Sequence, residues 1–231
     1  MAKKLSKKYA AAAAKVDFDK KYALEEAVAL LIETSTTKFD SSIELHVNLN
    51  VNVKHADQIV RGTTILPHGT GKKVRVAAFV EADKEAEAKK AGADLVGLET
   101  LIASIEKGKI DFDVAVAQPQ VMKSLGKIAR TLGTKGLMPN PKAGTVTPDI
   151  GKAIEEIKKG KVEYKTDKTG IIHSVLGKVS FGKAKLLENI KLLLELIVQA
   201  RPVAVKGTYI ISVSLSTTMG PGIAVDPSTV S

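Results

Sequence analysis

From Ile43 to Val53 the chain reads Ile-Glu-Leu-His-Val-Asn-Leu-Asn-Val-Asn-Val, an alternation of apolar and polar side chains without a fault. Successive side chains of a strand point to opposite faces, so the stretch predicts a strand with one face on a core and the other wet. A chain that contains such a strand must build a sheet covered on one side and open on the other. Upstream, Leu24, Ala27, Val28 and Leu31 recur at helical spacing within Tyr22 to Glu33, and Thr34-Ser-Thr-Thr37 ends that helix. The first unit is therefore helix, polar turn, strand.

The texture changes at Pro67-His-Gly-Thr-Gly71. Val74 to Val80 is a continuous β-prone run, Ala82 to Ala91 a charged helix, Asp94 to Leu98 a short strand, Leu101 to Lys107 a helix and Phe112 to Ala117 a further strand. Pro119 is placed to open a helix to about Arg130, and Pro148 to Lys159 reads as another. Strands that are apolar throughout and alternate with helices imply parallel β-α-β units buried on both faces. The middle of the chain reads as a small doubly wound α/β domain.

After Gly160 the alternation returns, in Val162 to Tyr164 and again in Ile171 to Val175. A long amphipathic helix follows from Lys183 to Ala200, then a last strand from Tyr209 to Leu215. On that strand Ile211, Val213 and Leu215 are expected inside, with Ser212 and Ser214 on the wet side and Ser216 continuing it into Ser-Thr-Thr-Met-Gly-Pro-Gly222. The two ends share one style and the middle has another. This predicts an α/β protein of two domains, a discontinuous one of residues 1–67 plus 160–231 and an inserted one of residues 68–159. Pro67, His68 and Gly69 at one crossing and Lys159 and Gly160 at the other are the expected hinge.

Charge narrows the partner. The formal net charge is +10, and a lysine excess of that size favours a polyanion, because each neutralised phosphate releases counterions. There is no cysteine, so disulfides and thiolate metal sites are excluded and an intracellular reducing compartment is the simpler expectation. No apolar run nears the roughly 20 residues of a membrane span. The basic start, Met1 to Tyr9, is followed only by the short Ala10 to Ala14 run and then Lys15 and Asp17, so no signal peptide is expected. His46, His55, His68 and His173 show no metal spacing, and no Gly-x-Ser-x-Gly nucleophile motif is present. Gly69-Thr-Gly-Lys-Lys73 lacks the spacing of a phosphate loop and precedes a strand where such a loop would follow one. Neither cofactor nor metal is expected.

The nucleic-acid reading has better material. Lys38-Phe39 lies in the turn before the alternating strand, where the aromatic either caps the core or offers a face to a base. Gly177-Lys-Val-Ser-Phe-Gly-Lys183 combines glycine turns, lysines and Ser180 ahead of a helix, either as an ordinary cap or as a phosphate contact. Ser214, Ser216, Thr217 and Thr218 offer hydroxyls to ribose and phosphate and Met219 a polarizable surface, or else the stretch is a plain surface turn anchored by a buried Met219.

Thr217-Thr-Met-Gly-Pro221, Lys38-Phe-Asp40, Lys168-Thr-Gly170 with His173, Gly177-Lys-x-Ser-Phe181 and above all Leu132-Gly-x-x-Gly-Leu-Met-Pro-Asn-Pro-Lys-x-Gly-Thr-Val146 resemble the bacterial form of the ribosomal protein L1 family, over essentially the whole chain. The resemblance implies a two-layer α+β domain built from both chain ends with a Rossmann-like three-layer α/β domain inserted. It implies a non-catalytic, cytoplasmic protein of the large ribosomal subunit, monomeric when free. Its partners would be 23S rRNA at the mobile L1 stalk, exit-site tRNA whose release it assists, and its own operon messenger, which it represses. Phe39, Thr217, Thr218, Met219 and Gly220 inherit the RNA contact, and Lys38, Lys178 and Ser180 a weaker part in it. Ser216 stands where relatives often carry threonine, and Leu176 where proline often precedes the glycine. The segment after Pro221 lacks the usual basic residue. The competing expectation is an α/β enzyme that holds a phosphorylated substrate on the Gly133 to Gly144 loop.

Overall fold

The computed structural model describes residues 6–230; the lysine-rich start at residues 1–5 lies outside them. The chain runs through α1 (Lys7–Ala13), α2 (Leu24–Glu33), β1 (Ser42–Leu49) and β2 (Arg61–Ile65). It continues through β3 (Val76–Phe79), α3 (Glu85–Lys90), β4 (Leu95–Val96), α4 (Glu99–Glu106), β5 (Val114–Ala117), α5 (Met122–Leu125), α6 (Ala129–Thr134) and α7 (Ile150–Lys158). It returns through β6 (Lys161–Lys165), β7 (Ile171–Lys178), α8 (Gly182–Gln199), β8 (Ile210–Thr217) and β9 (Gly222–Val225). Two compact units result: one takes the chain up to Gly71 and from Val162 onward, the other is Lys72–Lys161.

In the first unit an antiparallel sheet of four strands runs in the order β7-β1-β8-β9, and β2 pairs separately with β6. Leu24, Ala27, Val28 and Leu31 of α2 and Leu186, Ile190, Leu193, Leu194 and Ile197 of α8 pack with Ile43, Leu45, Val47 and Leu49 of β1 in one core. Each such side chain taken from water contributes roughly 1.5–3 kcal/mol, which holds both helices on one face of the sheet. The alternating residues Ser42, Glu44, His46 and Asn48 are left half exposed on the opposite face.

Two sequence expectations need correction here. The first strand stops at Leu49 and not at Val53. There the Asn52 side chain accepts from the Lys54 amide at 3.1 Å and the Asn52 amide donates to Gln58 Oε1 at 2.8 Å, local bonds that compete with the ladder. Second, Ile211 does not join Val213 and Leu215 inside; it is 51% exposed. The β1–β8 register skips it, pairing Asn48 with Ser212 and Leu49 with Ile210, so it is the extra residue of a bulge. The segment after Pro221, where no element is expected from sequence, forms β9, which pairs with β8 and buries Ile223 and Val225.

The second unit carries a parallel sheet in the order β4-β3-β5. Its strands are buried on both faces: Ala77, Phe79, Ala115 and Ala117 meet Leu101, Ile105, Leu125, Ile128 and Leu132 on one side. Val76, Ala78 and Val116 meet Ala88, Ile150, Ala153, Ile154 and Ile157 on the other. This is helix, sheet, helix in three layers. The helix expected from Pro119 to Arg130 is instead broken: α5 ends at Leu125, a 3-10 turn spans Gly126–Ile128 and α6 follows. Glycine at the break lowers helix propensity by about 1 kcal/mol relative to alanine. Asp113 is a structural anchor, bonded by Lys72 Nζ at 3.0 Å and the Arg75 amide at 3.1 Å. Those bonds hold its carboxyl below the usual carboxylate range.

Candidate nucleic-acid interface

One end of the four-stranded sheet gathers the start of β1, the end of β7 and the end of β8. The turn between α2 and β1 presents Phe39 there, 59% exposed, beside an exposed Lys38. Phe39 therefore does not cap the core. Asp40 next to it fixes the turn after β7, accepting from the Ser180 amide at 3.1 Å and the Ser180 hydroxyl at 2.7 Å. The Ser180 hydroxyl is the main reason the Asp40 carboxyl sits below its ordinary pKa. Lys178 Nζ reaches Ser42 Oγ at 2.9 Å and the Asp40 carbonyl at 3.3 Å, so its charge is held over the same spot.

The Thr217 to Gly220 turn closes the cluster. Thr218 is tied to Ser42, whose amide donates to Thr218 Oγ1 at 3.1 Å while the Thr218 amide donates to the Ser42 carbonyl at 3.0 Å. Met219 is 75% exposed. It has φ 66°, the one left-handed non-glycine residue among those described. Thr217 faces the other way: it is 4% exposed and its Oγ1 has no hydrogen-bond partner. That oxygen lies beneath Gly220, where an added Cβ would come within 2.1 Å of it. Thr217 thus shapes the turn from below rather than meeting a ligand from the open face.

Ser214 and Ser216 lie farther along the open face, opposite His46 and Glu44 of β1. His46 and His173 sit opposite each other across β1 and β7 with their Nδ1 atoms 2.7 Å apart, and His46 Nε2 lies 3.0 Å from Ser216 Oγ. At that Nδ1 pair one ring donates and the other accepts, so both cannot be charged without breaking it. Sequence reasoning weighed these histidines only as metal ligands and missed them as part of the face. Their signal was their place on the wet positions of two alternating strands. It also missed Asp40 and Ser42, which join the three segments.

The hinge residues lie elsewhere. His68 and Gly69 are fastened to α8, where Asn189 accepts from the His68 amide at 3.3 Å and donates to the Gly69 carbonyl at 3.1 Å. His68 Nε2 also lies 2.6 Å from Glu188 Oε2. Pro67 precedes this fastened stretch, while Lys159 and Gly160 end α7, Gly160 with φ 98°. The compact units change over after Gly71 and after Lys161.

The Gly133 to Gly144 loop is poorly suited to a phosphorylated substrate. The amides of Gly136, Leu137, Asn140, Lys142, Ala143, Gly144 and Thr145 all donate within the loop or to α6. Pro139 and Pro141 have no N–H to offer. A phosphate cradle needs free amides, and this loop has spent nearly all of its own.

Comparison with known proteins agrees with that. Residues 31–221 match the model of the ribosomal protein L1p/L10e family. The chain is also similar to the large ribosomal subunit protein uL1 of Solidesulfovibrio magneticus, 51% identical over 227 residues, which covers 98% of this chain and 97% of the relative. The chain belongs to the ribosomal protein L1p/L10e family, whose members are structural, non-enzymatic components of the ribosome in the cytoplasm.

Proposed function

We propose that the chain is a component of the large ribosomal subunit that binds 23S rRNA and forms the mobile L1 stalk. Lys38, Phe39, Lys178, Ser180, Ser214, Ser216, Thr218, Met219 and Gly220 make the contact, with Thr217 setting the turn. The supporting observation is convergence: three segments far apart in sequence meet at one end of a half-exposed sheet face and are bonded together through Ser42 and Asp40. The cluster pairs an exposed aromatic and a thioether with hydroxyls and few charges. Such a surface suits unstacked bases and ribose 2′-hydroxyls better than a regular duplex backbone. In this reading the first unit is the RNA-binding domain and Lys72–Lys161 an inserted domain that moves with the stalk. The free protein is a monomer, assists release of deacylated tRNA from the exit site, and represses its own operon by binding a similar element on the messenger.

Titration against an internally looped RNA helix and a plain duplex of equal length tests the reading. The looped RNA is expected to bind at least tenfold tighter, and Met219→Ala or Phe39→Ala to weaken that binding by roughly 1–3 kcal/mol without unfolding the chain. Equal affinity for the two RNAs would overturn it.

A further inference from the structure

At the opposite end of β1 lies a groove of about 610 Å³, lined by Val53, Lys54, Ile59, Lys165, Thr166, Asp167 and Lys168. Its walls are the segment after β1 and the turn between β6 and β7. Both are fixed by local bonds rather than loosely hung. Asp167 caps its own turn, accepting from the Thr169 and Ile171 amides, each at 2.8 Å, and from the Thr169 hydroxyl at 2.7 Å. The Thr166 amide donates to the Val60 carbonyl at 2.9 Å, and the Leu49 amide to the Gly170 carbonyl at 3.0 Å, which locks the turn to the end of β1. An added Cβ on Gly170 would stand 3.1 Å from the Leu49 carbonyl, so the approach is close.

The charge of the groove is predominantly positive, three lysines against the one carboxylate of Asp167. Lys54, Lys165 and Lys168 are exposed and take part in none of the ion pairs found among the described residues. The carboxylate of Asp167 is already engaged by its own turn. Three unneutralised ammonium groups over a floor that includes half-buried Val53 and Ile59 suit a chain of alternating phosphates and sugars. A compact ligand would need a closed pocket with converging hydrogen-bond partners. We propose that this groove is a second contact for RNA, taking the phosphodiester backbone of the strand whose looped region sits on the Phe39 and Met219 end. The inference rests on the function proposed above. Continuity supports the same ligand at both ends: the groove and the turn are joined by the open face of β1, whose length is roughly 24 Å at ~3.4 Å per residue. The division of labour is that the nearly uncharged turn selects and the lysine groove attracts.

The test compares the full-length protein with two variants that remove equal charge: Lys54→Gln, Lys165→Gln, Lys168→Gln together, and Lys107→Gln, Lys109→Gln, Lys123→Gln together as a control in the second unit. Affinity for the looped RNA and for the plain duplex is measured from low to physiological salt. Each lost phosphate contact lowers the slope of log affinity against log salt by ~0.7–0.9, so the groove variant, short of three, should lose about 2–3 and the control almost nothing. The preference for looped RNA over duplex should change less than about twofold in the groove variant. An unchanged slope, or an equal drop in the control, overturns the groove proposal even if the looped RNA is preferred. Loss of looped-RNA preference in the wild type overturns the function reading instead, and is read from a different quantity. Displacement of either RNA by polyglutamate as readily as by RNA duplex would assign the groove to an acidic protein and also overturn the proposal.

Discussion

Met219 adopts a left-handed backbone that an L-residue with a long side chain enters at a cost of about 1–2 kcal/mol, although glycine would fit there freely. Retaining a strained, 75% exposed methionine makes sense when its thioether has work outside the folded core. Met219→Gly is therefore expected to raise the stability of the free protein by about 1 kcal/mol while weakening binding to the looped RNA, read by urea denaturation and by titration. Greater stability with undiminished affinity would remove Met219 from the contact. The residue scale also carries a pH dependence. Burial, then the charge of His173, press the His46 pKa below its ordinary value, with Glu44 partly opposing. The folded state then binds fewer protons than the unfolded one, so stability is full above about pH 6.5 and falls as pH drops below it. Asp40, Asp113 and Asp167 are depressed carboxylates, whose contribution is lost only in more acidic solution, so they do not blur this window. Between pH 7.5 and 5.5 the wild type should lose more of its urea midpoint than His46→Gln does; equal losses would show that the pair is not the sensor. Which residues touch was not legible in sequence, because the partners of His46, Asp40 and Ser42 come from β7, the turn that follows it and the turn after β8, more than a hundred positions away.

Elements were legible where one chain segment contains its own reason. The faultless alternation around Ile43 and the helical stripe of Leu186, Ile190, Leu193, Leu194 and Ile197 announce a strand and a helix, since periodicity needs no partner to be seen. β2 and β9 had no such signal. Gly222-Ile-Ala-Val225 is too short to show a period and exists as a strand because β8 offers it an edge. The bulge that expels Ile211 is likewise a property of pairing, created where β1 and β8 change register. α8 carries a less visible duty. Its fully buried Asn189 donates to the Leu176 carbonyl at 2.7 Å and to that of Gly69 at 3.1 Å, and accepts from His68, so one polar side chain ties the helix to β7 and to the outgoing chain. Asn189→Leu keeps the branching of the side chain but leaves the buried Leu176 carbonyl and the half-buried His68 and Gly69 groups without their partner. It should cost about 2–3 kcal/mol and speed hydrogen exchange at the His68 amide. A variant as stable as wild type would mean that water replaces the amide.

At the scale of the whole chain, the residues of the three apolar cores divide without overlap. One core draws only on positions up to Val60 and from Tyr164 onward, and the other two only on positions from Val76 to Ile157. Each unit therefore buries its own apolar surface, the term that dominates folding, without borrowing side chains from the other. A sheet covered on one face and a sheet covered on both need different patterns, which is why the sequence changes texture along the chain. The points of change were less visible, since they depend on where Asn189 and α8 release the outgoing chain. The pairing of β2 with β6 places the outgoing and returning segments on neighbouring strands, so a short connection can replace what lies between. Replacing residues 72–161 by a short Gly-Ser linker is therefore expected to leave a cooperatively folded protein. It should keep its preference for looped RNA, because every residue of the proposed contact and of the lysine groove remains. Circular dichroism and urea unfolding check the fold, and titration with looped and plain RNA checks the contact. If the shortened chain folds but loses the preference, part of the specific contact lies in Lys72–Lys161. If it fails to fold, the units depend on one another despite their separate cores.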